Sequence, residues 1–197
     1  MLKKLLILLS ITTIAACGGG GDDAAAENVA TDGTSPVIPV EEEYTEEYIA
    51  REWNLPDEPD EEANNATVKG IDVLKNNVRD DWERDNAIAS FPDKLEFKML
   101  NRAAQINNEM IDAYNAGNNH EILKLWDDES LLLMCYKVYF GYKNSTLLYK
   151  PSYDTDKRED VIDAIESLVN DSKGGFDELP TYDILEKECP KLKDSLK

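Results

Sequence analysis

From residue 80 onward, apolar residues recur at three- and four-residue steps, the spacing that places them on one face of an α-helix. Asp80 to Phe91 reads as a first helix, ended by Pro92. Asp93 and Glu96 have capping-box spacing at the start of a second. Its stripe is Met99, Ala103, Ile106, Met110 and Ala113, and Gly117 suits its end. Asn119 is the predicted cap of a third stretch through Ile122, Leu125, Trp126, Leu132, Leu133 and Tyr136. Leu131 to Tyr136 is apolar all round, which predicts the buried centre of the fold. Thr155 is the predicted cap of a helix with the stripe Val161, Ile165, Leu168 and Val169, ending at Gly174-Gly175. A short last segment around Tyr182 to Cys189 is expected to stop at Pro190. The pattern predicts a mainly α fold, a small helical bundle of about four to five helices over residues 67–197, following a disordered acidic tether.

Upstream the pattern changes. Gly18 to Pro39 is built from Gly, Ala, Asp, Ser, Thr and Pro with little to bury, the composition of a disordered tether. Glu41 to Trp53 is an acidic amphipathic segment in which Tyr44, Tyr48, Ile49 and Trp53 share one helical face. It is expected to dock on the domain or to await a partner. Asn54-Leu55-Pro56 stops it, and Pro56 to Asp60 reads as extended linker, so the tether is assigned to residues 17–66. The formal net charge of the chain is −20, and it is uneven. Residues 18–68 hold 15 acids against Arg51 as the one base, and residues 69–197 hold 26 acids against 18 bases. Such a surface repels nucleic acid and anionic lipid headgroups, so no nucleic-acid partner is expected. Cationic proteins and divalent ions are the partners it favours, although solubility and an extended tether account for the same charge.

The first residues carry a different signal. Met1-Leu2-Lys3-Lys4 is a short basic start, Leu5 to Ile14 is apolar apart from Ser10, Thr12 and Thr13, and Ala15-Ala16-Cys17 follows. A helix of ten such residues is too short to cross about 30 Å of hydrocarbon. The order is that of a secretory signal. Ending on Ile14-Ala15-Ala16-Cys17, it resembles a bacterial lipoprotein signal peptide over residues 1–16. The resemblance implies that Cys17 is the acylated first residue of the mature chain and that the protein meets the membrane through this lipid anchor. Gly18 after the cysteine implies the outer membrane, facing the periplasm, by likeness to enterobacterial sorting. Two further cysteines, Cys135 and Cys189, are expected to be bridged in an oxidising envelope compartment.

One segment carries candidate metal chemistry. Counted from Asp72, oxygen-bearing side chains fall at loop positions 1, 5, 9 and 12: Asp72, Asn76, Asp80 and Glu83. Val78 at position 7 offers a backbone carbonyl, and Asn77 stands where a calcium loop ordinarily has glycine. Hard cations take several oxygens around one point, closed by a glutamate on the following helix. Residues 55–85, through Gly70-Ile71-Asp72 to Val78-Arg79-Asp80-Asp81-Trp82-Glu83-Arg84, also resemble a segment of uncharacterised secreted proteobacterial proteins. Those carry a loop similar to EF-hand and thrombospondin-type calcium loops; the family implies no activity. Leu74 at position 3 removes a ligand, and Lys75 and Arg79 bring cations near. An ion-free alternative uses the same residues: Asn76-Asn77 as a turn, with Asp80 and Glu83 as a capping box for the first helix. The expectation is therefore no required cofactor and, at most, weak Ca²⁺ binding.

Catalytic signals are sparse. His120 is the sole histidine and lies at a predicted helix entry. Asp80-Asp81 and Asp127-Asp128 are adjacent, and adjacent helical residues point apart, so neither pair forms a catalytic dyad. Tyr136, Tyr139, Phe140, Tyr142 and Tyr149 cluster in sequence and read as core and its rim, with an aromatic recognition surface as the alternative. The leading expectation is a non-enzymatic cell-envelope lipoprotein whose helical domain binds or supports another envelope component. Its rivals are an inhibitor or immunity lipoprotein that neutralises a cationic enzyme, and a periplasmic hydrolase built on carboxylates.

Overall fold

The computed structural model describes residues 44–148, 155–173 and 180–197; the signal segment, Cys17, Gly18–Pro39, Tyr149 and Gly174-Gly175 lie outside the described residues. The helices are α1 (Glu46–Trp53), α2 (Glu61–Asn64), α3 (Asp80–Ser90), α4 (Lys94–Asn115), α5 (Asn119–Phe140), α6 (Asp156–Lys173) and α7 (Tyr182–Ser195). No strand occurs among the described residues. Residues 145–148 are helical as well. The helices α3 to α7 are the five that the apolar spacing predicts.

Helix α4 is the axis of the bundle. It packs against α5, α3 and α6, while α5 also meets α6 and α7. The predicted stripe is the one it buries: Met99, Ala103, Ile106, Met110 and Ala113 all lie in the core, joined by Leu100 and Ile111. Opposite stand Ile122, Leu125, Leu132, Cys135 and Tyr136 of α5, and Ile162, Ile165 and Val169 of α6. Each fully buried Leu, Ile or Met contributes about 1.5–3 kcal/mol relative to exposure. Only one side of the Leu131–Tyr136 run is fully buried: Leu131, Leu133 and Met134 are partly covered. Among the clustered aromatics Tyr136 is core, Tyr139 and Phe140 form its rim, and Tyr142 is 79 % exposed. A disulfide between Cys135 and Cys189 fastens α7 to α5.

Four expectations about local structure change. Residues 44–66, assigned to the tether, belong to the same compact unit as the bundle. The cause is aromatic: Tyr44, Tyr48 and Trp53 close on Phe91 at ring-centroid distances of 4.8, 6.0 and 5.2 Å, and Trp53 also meets Phe97 at 4.7 Å. Thr45 caps α1 through the Tyr48 amide. The cap of α5 is Asn118 rather than Asn119, its side chain accepting from the Glu121 amide. Helix α7 does not stop at Pro190 but runs through it to Ser195. Leu192 and Leu196 beyond the proline pack on the core, and that burial outweighs the lost backbone hydrogen bond. Asp93 caps α4 as predicted, accepting from the Leu95 and Glu96 amides. Glu96, however, turns inward, 1 % exposed, to accept from the Tyr136 hydroxyl at 2.7 Å, Asn144 at 3.1 Å and Lys143 at 3.2 Å.

One half-buried acid ties stability to pH. Glu129 of α5 accepts from Asn107 Nδ2 of α4 at 2.8 Å. Burial raises its carboxyl to about 7, against the lowering by Asn107, with the charge of Glu166 pushing the same way. The folded value lies above the unfolded one, so stability is fully present below the unfolded value near 4.5 and is lost as pH rises through about 7. Glu129→Gln keeps an acceptor for Asn107 and removes the charge. It is expected to stabilise the fold by on the order of 2 kcal/mol at pH 8 and hardly at all at pH 4.5, read from urea melts at the two pH values.

Candidate cation loop at the start of α3

The chain approaches α3 through a turn that only glycine fits. Gly70 has φ +68, and a Cβ there would lie 2.7 Å from Arg79 Cγ, Arg79 Cδ and Asn64 Oδ1. Asn64 Oδ1 accepts from the Ile71 amide at 2.8 Å, fixing the entry to the loop. Asp72 then gathers the loop around its carboxylate, accepting from the Asn76 amide at 3.1 Å and the Asn77 amide at 2.8 Å. Asn77 takes φ +65, the left-handed conformation expected of it, and Lys75 takes φ +54.

The far side of the loop belongs to the bundle. Gln105 Nε2 donates to the Asn76 carbonyl at 3.0 Å, and Asn108 Nδ2 donates to the Asn77 carbonyl at 2.8 Å, both from α4. Asn76 bridges the loop to α3: its Nδ2 donates to Glu83 Oε1 at 2.9 Å while its Oδ1 accepts from the Val78 amide at 3.0 Å. Asn101 of α4 donates to the same Glu83 oxygen at 3.3 Å. The Val78 side chain is fully buried with Trp82 and Ala104. The loop is thus welded to the most buried helix of the domain.

The capping-box alternative does not hold. The residue preceding α3 is Arg79, which makes no side-chain cap bond, and Asp80 is already the first helical residue. Asp80 instead turns back to accept from the Val73 amide at 3.1 and 3.3 Å. Glu83 faces Asn76 and Asn101 rather than the helix start. Both are buried, at 1 % and 6 % exposure. Burial pushes the Asp80 carboxyl up, against the Val73 amide, and the charges of Asp72 and Asp81 push it further. Burial likewise raises Glu83, against Asn76 and Asn101, with Asp80 and Asp72 adding to the rise.

Arg79 and Asp81, beside this cluster, neutralise each other. Arg79 Nη2 lies 2.7 Å from Asp81 Oδ2 and Nε 2.9 Å from Oδ1. Burial would raise Asp81, but these bonds and the guanidinium charge hold it below the ordinary value. Arg79 also stacks on Trp82, 4.7 Å from the ring centroid. Arg158 of α6 covers the same ring at 4.1 Å and reaches Asn108 Oδ1 at 3.2 Å and the Val68 carbonyl. Sequence reasoning placed no weight on Arg158, Asn101 or Asn108; buried polar residues on otherwise apolar helix faces were the available sign.

The sequence-predicted ligands therefore divide. Asp72 gathers the loop backbone, Asp80 accepts from the Val73 amide, and Glu83 accepts from Asn76 and Asn101; Asn76 cross-braces the loop; Val78 is a packing residue through its side chain. Among the described residues no group of three or more His, Cys, Asp and Glu side chains forms a ready metal cage. Any cation held here draws on amide or backbone oxygens as well as carboxylates. A comparison with protein-family models, with curated proteins and with solved structures finds no match.

Proposed function

We propose that this is a non-enzymatic cell-envelope lipoprotein, held to the membrane by acylation of Cys17, whose helical domain binds or supports another envelope component. The carrying observation is the division of labour among three cysteines. Cys135 and Cys189 are joined to each other in the core, and Cys17 is the remaining one, at the end of a basic, apolar and small-residue order. A buried disulfide suits an oxidising compartment outside the cytosol, which is where that order would deliver the chain. Two or three acyl chains on one sulfur-bearing terminus make attachment effectively permanent, since each buried methylene adds about 0.8 kcal/mol. The outer membrane, facing the periplasm, is the address the Gly18 position favours.

No described helix is long and apolar enough to cross a membrane. Attachment by the lipid alone makes a sharp prediction. In cells expressing the full chain, Cys17→Ser should shift the protein from the membrane pellet to the soluble fraction or to uncleaved precursor, and should abolish fatty-acid labelling. A Cys17→Ser form that pellets as before and takes up label equally would end the reading. The acidity of the leader also supports an inhibitor of a cationic enzyme as the form the partnership takes; salt-sensitive capture of a basic hydrolase by the full protein would favour it.

A further inference from the structure

We infer that the end of the bundle where α4 begins and α5 and α7 finish is a docking face for an anionic lipid surface. Helices α4 and α5 run antiparallel: Glu96 meets Tyr136, and Asn107 meets Glu129. Helices α5 and α7 run parallel, since Cys135 is bridged to Cys189 and, one turn on, Lys193 Nζ lies 5.4 Å from the Tyr139 ring centroid. The start of α4 and the ends of α5 and α7 therefore meet, and Lys98 Nζ donates to the Lys197 carbonyl at 2.8 Å. Segments 93–98, 137–144 and 193–197 bring six lysines to this end, Lys94, Lys98, Lys137, Lys143, Lys193 and Lys197, against three acids. The whole chain has the reverse balance, 41 acids to 21 bases. Those three acids are already engaged: Asp93 caps α4, Glu96 is buried against Tyr136, and Asp194 pairs with Lys197.

The net charge repels anionic surfaces from the chain as a whole, but in salt a charge acts locally. The 22 residues of α4 span about 33 Å. That is roughly four Debye lengths at physiological ionic strength, so acids at the far end, such as Asp112 of α4 and Glu121 of α5, are screened from whatever meets the lysines. The face also carries apolar groups that a purely ionic contact does not use. Val138 and Tyr142 are 56 % and 79 % exposed, and Lys137 Nζ lies 5.7 Å from the Tyr142 ring centroid. An exposed ring and an aliphatic side chain among lysines fit the boundary between headgroups and acyl chains, where aromatics settle and ammonium groups meet phosphates. Lysine heads on flexible stems present no rigid fork, which suits a fluid array of phosphates better than one shaped acidic partner. The face is independent of acylation at Cys17.

Vesicle sedimentation with the chain from Gly18 onward, which lacks the acylated position and keeps every described element, tests it. Vesicles of about one-third phosphatidylglycerol in phosphatidylcholine are expected to bind it at least about tenfold more tightly than phosphatidylcholine alone, and the difference should vanish in high salt. Each lysine near an anionic surface contributes about fivefold, so the combined Lys94→Gln, Lys137→Gln, Lys193→Gln variant should lose at least about tenfold in affinity. Lys69→Gln, Lys124→Gln, Lys157→Gln removes the same charge from the other end, where these lysines meet Asp112, Glu121 and the Ala66 carbonyl, and should bind as the unaltered chain does. Tyr142→Ser should weaken binding several-fold and leave its salt dependence unchanged. No preference for anionic vesicles, or equal losses in the two triple variants, would overturn the face. Lysine-dependent binding to soluble polyglutamate but not to vesicles would overturn it too, and would assign the same lysines to an acidic protein.

Discussion

Trp82→Ala is expected to lower the unfolding free energy by roughly 4–6 kcal/mol, the largest effect of any single substitution in the domain. Truncating a buried Trp costs about 3–5 kcal/mol through lost transfer energy and the cavity left behind. Trp82 is 1 % exposed and packs with Val78 and Ala104, so little can relax into its place. The second part of the cost is electrostatic. Two guanidinium groups lie over the ring, Arg79 at 4.7 Å and Arg158 at 4.1 Å from its centroid, both residues nearly or wholly buried. Desolvated cation–π contacts are worth about 2 kcal/mol or more, and the buried charges would lose that partner together. Since a domain of this kind has about 5–15 kcal/mol in all, the variant should sit near its folding threshold at 37 °C. Urea unfolding followed by far-ultraviolet circular dichroism measures this, with Trp82→Phe as comparison. A ring face retained should restore roughly half the loss; equal losses in both variants would assign the whole effect to volume.

Removing the Cys135–Cys189 bridge should cost about 4 kcal/mol. The two cysteines are 54 residues apart, and in the chain-entropy account that loop length sets the stabilisation at this level. The bridge matters locally as well. Helix α7 contributes few core residues, with Leu185 and Cys189 buried and Leu192 and Leu196 partly covered, so it depends on the covalent link more than α4 or α5 does. The Cys135→Ala, Cys189→Ala pair avoids burying hydroxyl groups. Its urea midpoint should fall accordingly, and hydrogen exchange should show α7 opening before the rest. Unchanged protection in α7 would mean that its apolar contacts alone hold it.

The helical part of the fold was legible because a stripe such as Met99, Ala103, Ile106 and Met110 has one physical meaning: a helix with one side in a core. What the stripe does not reveal is what packs from a distance. Tyr44, Tyr48 and Trp53 were read as one helical face, but their docking against Phe91 and Phe97 joins residues that local spacing does not relate. Pro190 reads as a stop because the backbone bond it removes is local, whereas the burial of Leu192 and Leu196 that carries α7 past it is not. Glu96 illustrates the same competition: capping-box spacing is a local rule, and the Tyr136 hydroxyl on another helix won.

The candidate site divides along the same line. Asp72, Asp80 and Glu83 could be picked out by loop spacing, as could the left-handed turn at Asn77. Whether Asp80 and Glu83 cap α3 could not be told from spacing. Asn101, Gln105 and Asn108 lie on α4 and turn Glu83 and the loop backbone toward the bundle, away from a capping role. An asparagine or glutamine on a helix ordinarily reads as solvated, so the spacing alone did not reveal the role of these three.

The proposed acylation of Cys17 ahead of a disulfide-closed helical domain is tested most directly by the intact mass of the protein extracted from membranes. The expected species lacks residues 1–16, carries the mass of two or three acyl chains with the glyceryl group on its first peptide, and is two hydrogens lighter than the dithiol form. A membrane-extracted chain that retains Met1, or one that begins at Cys17 with no added lipid, would contradict it.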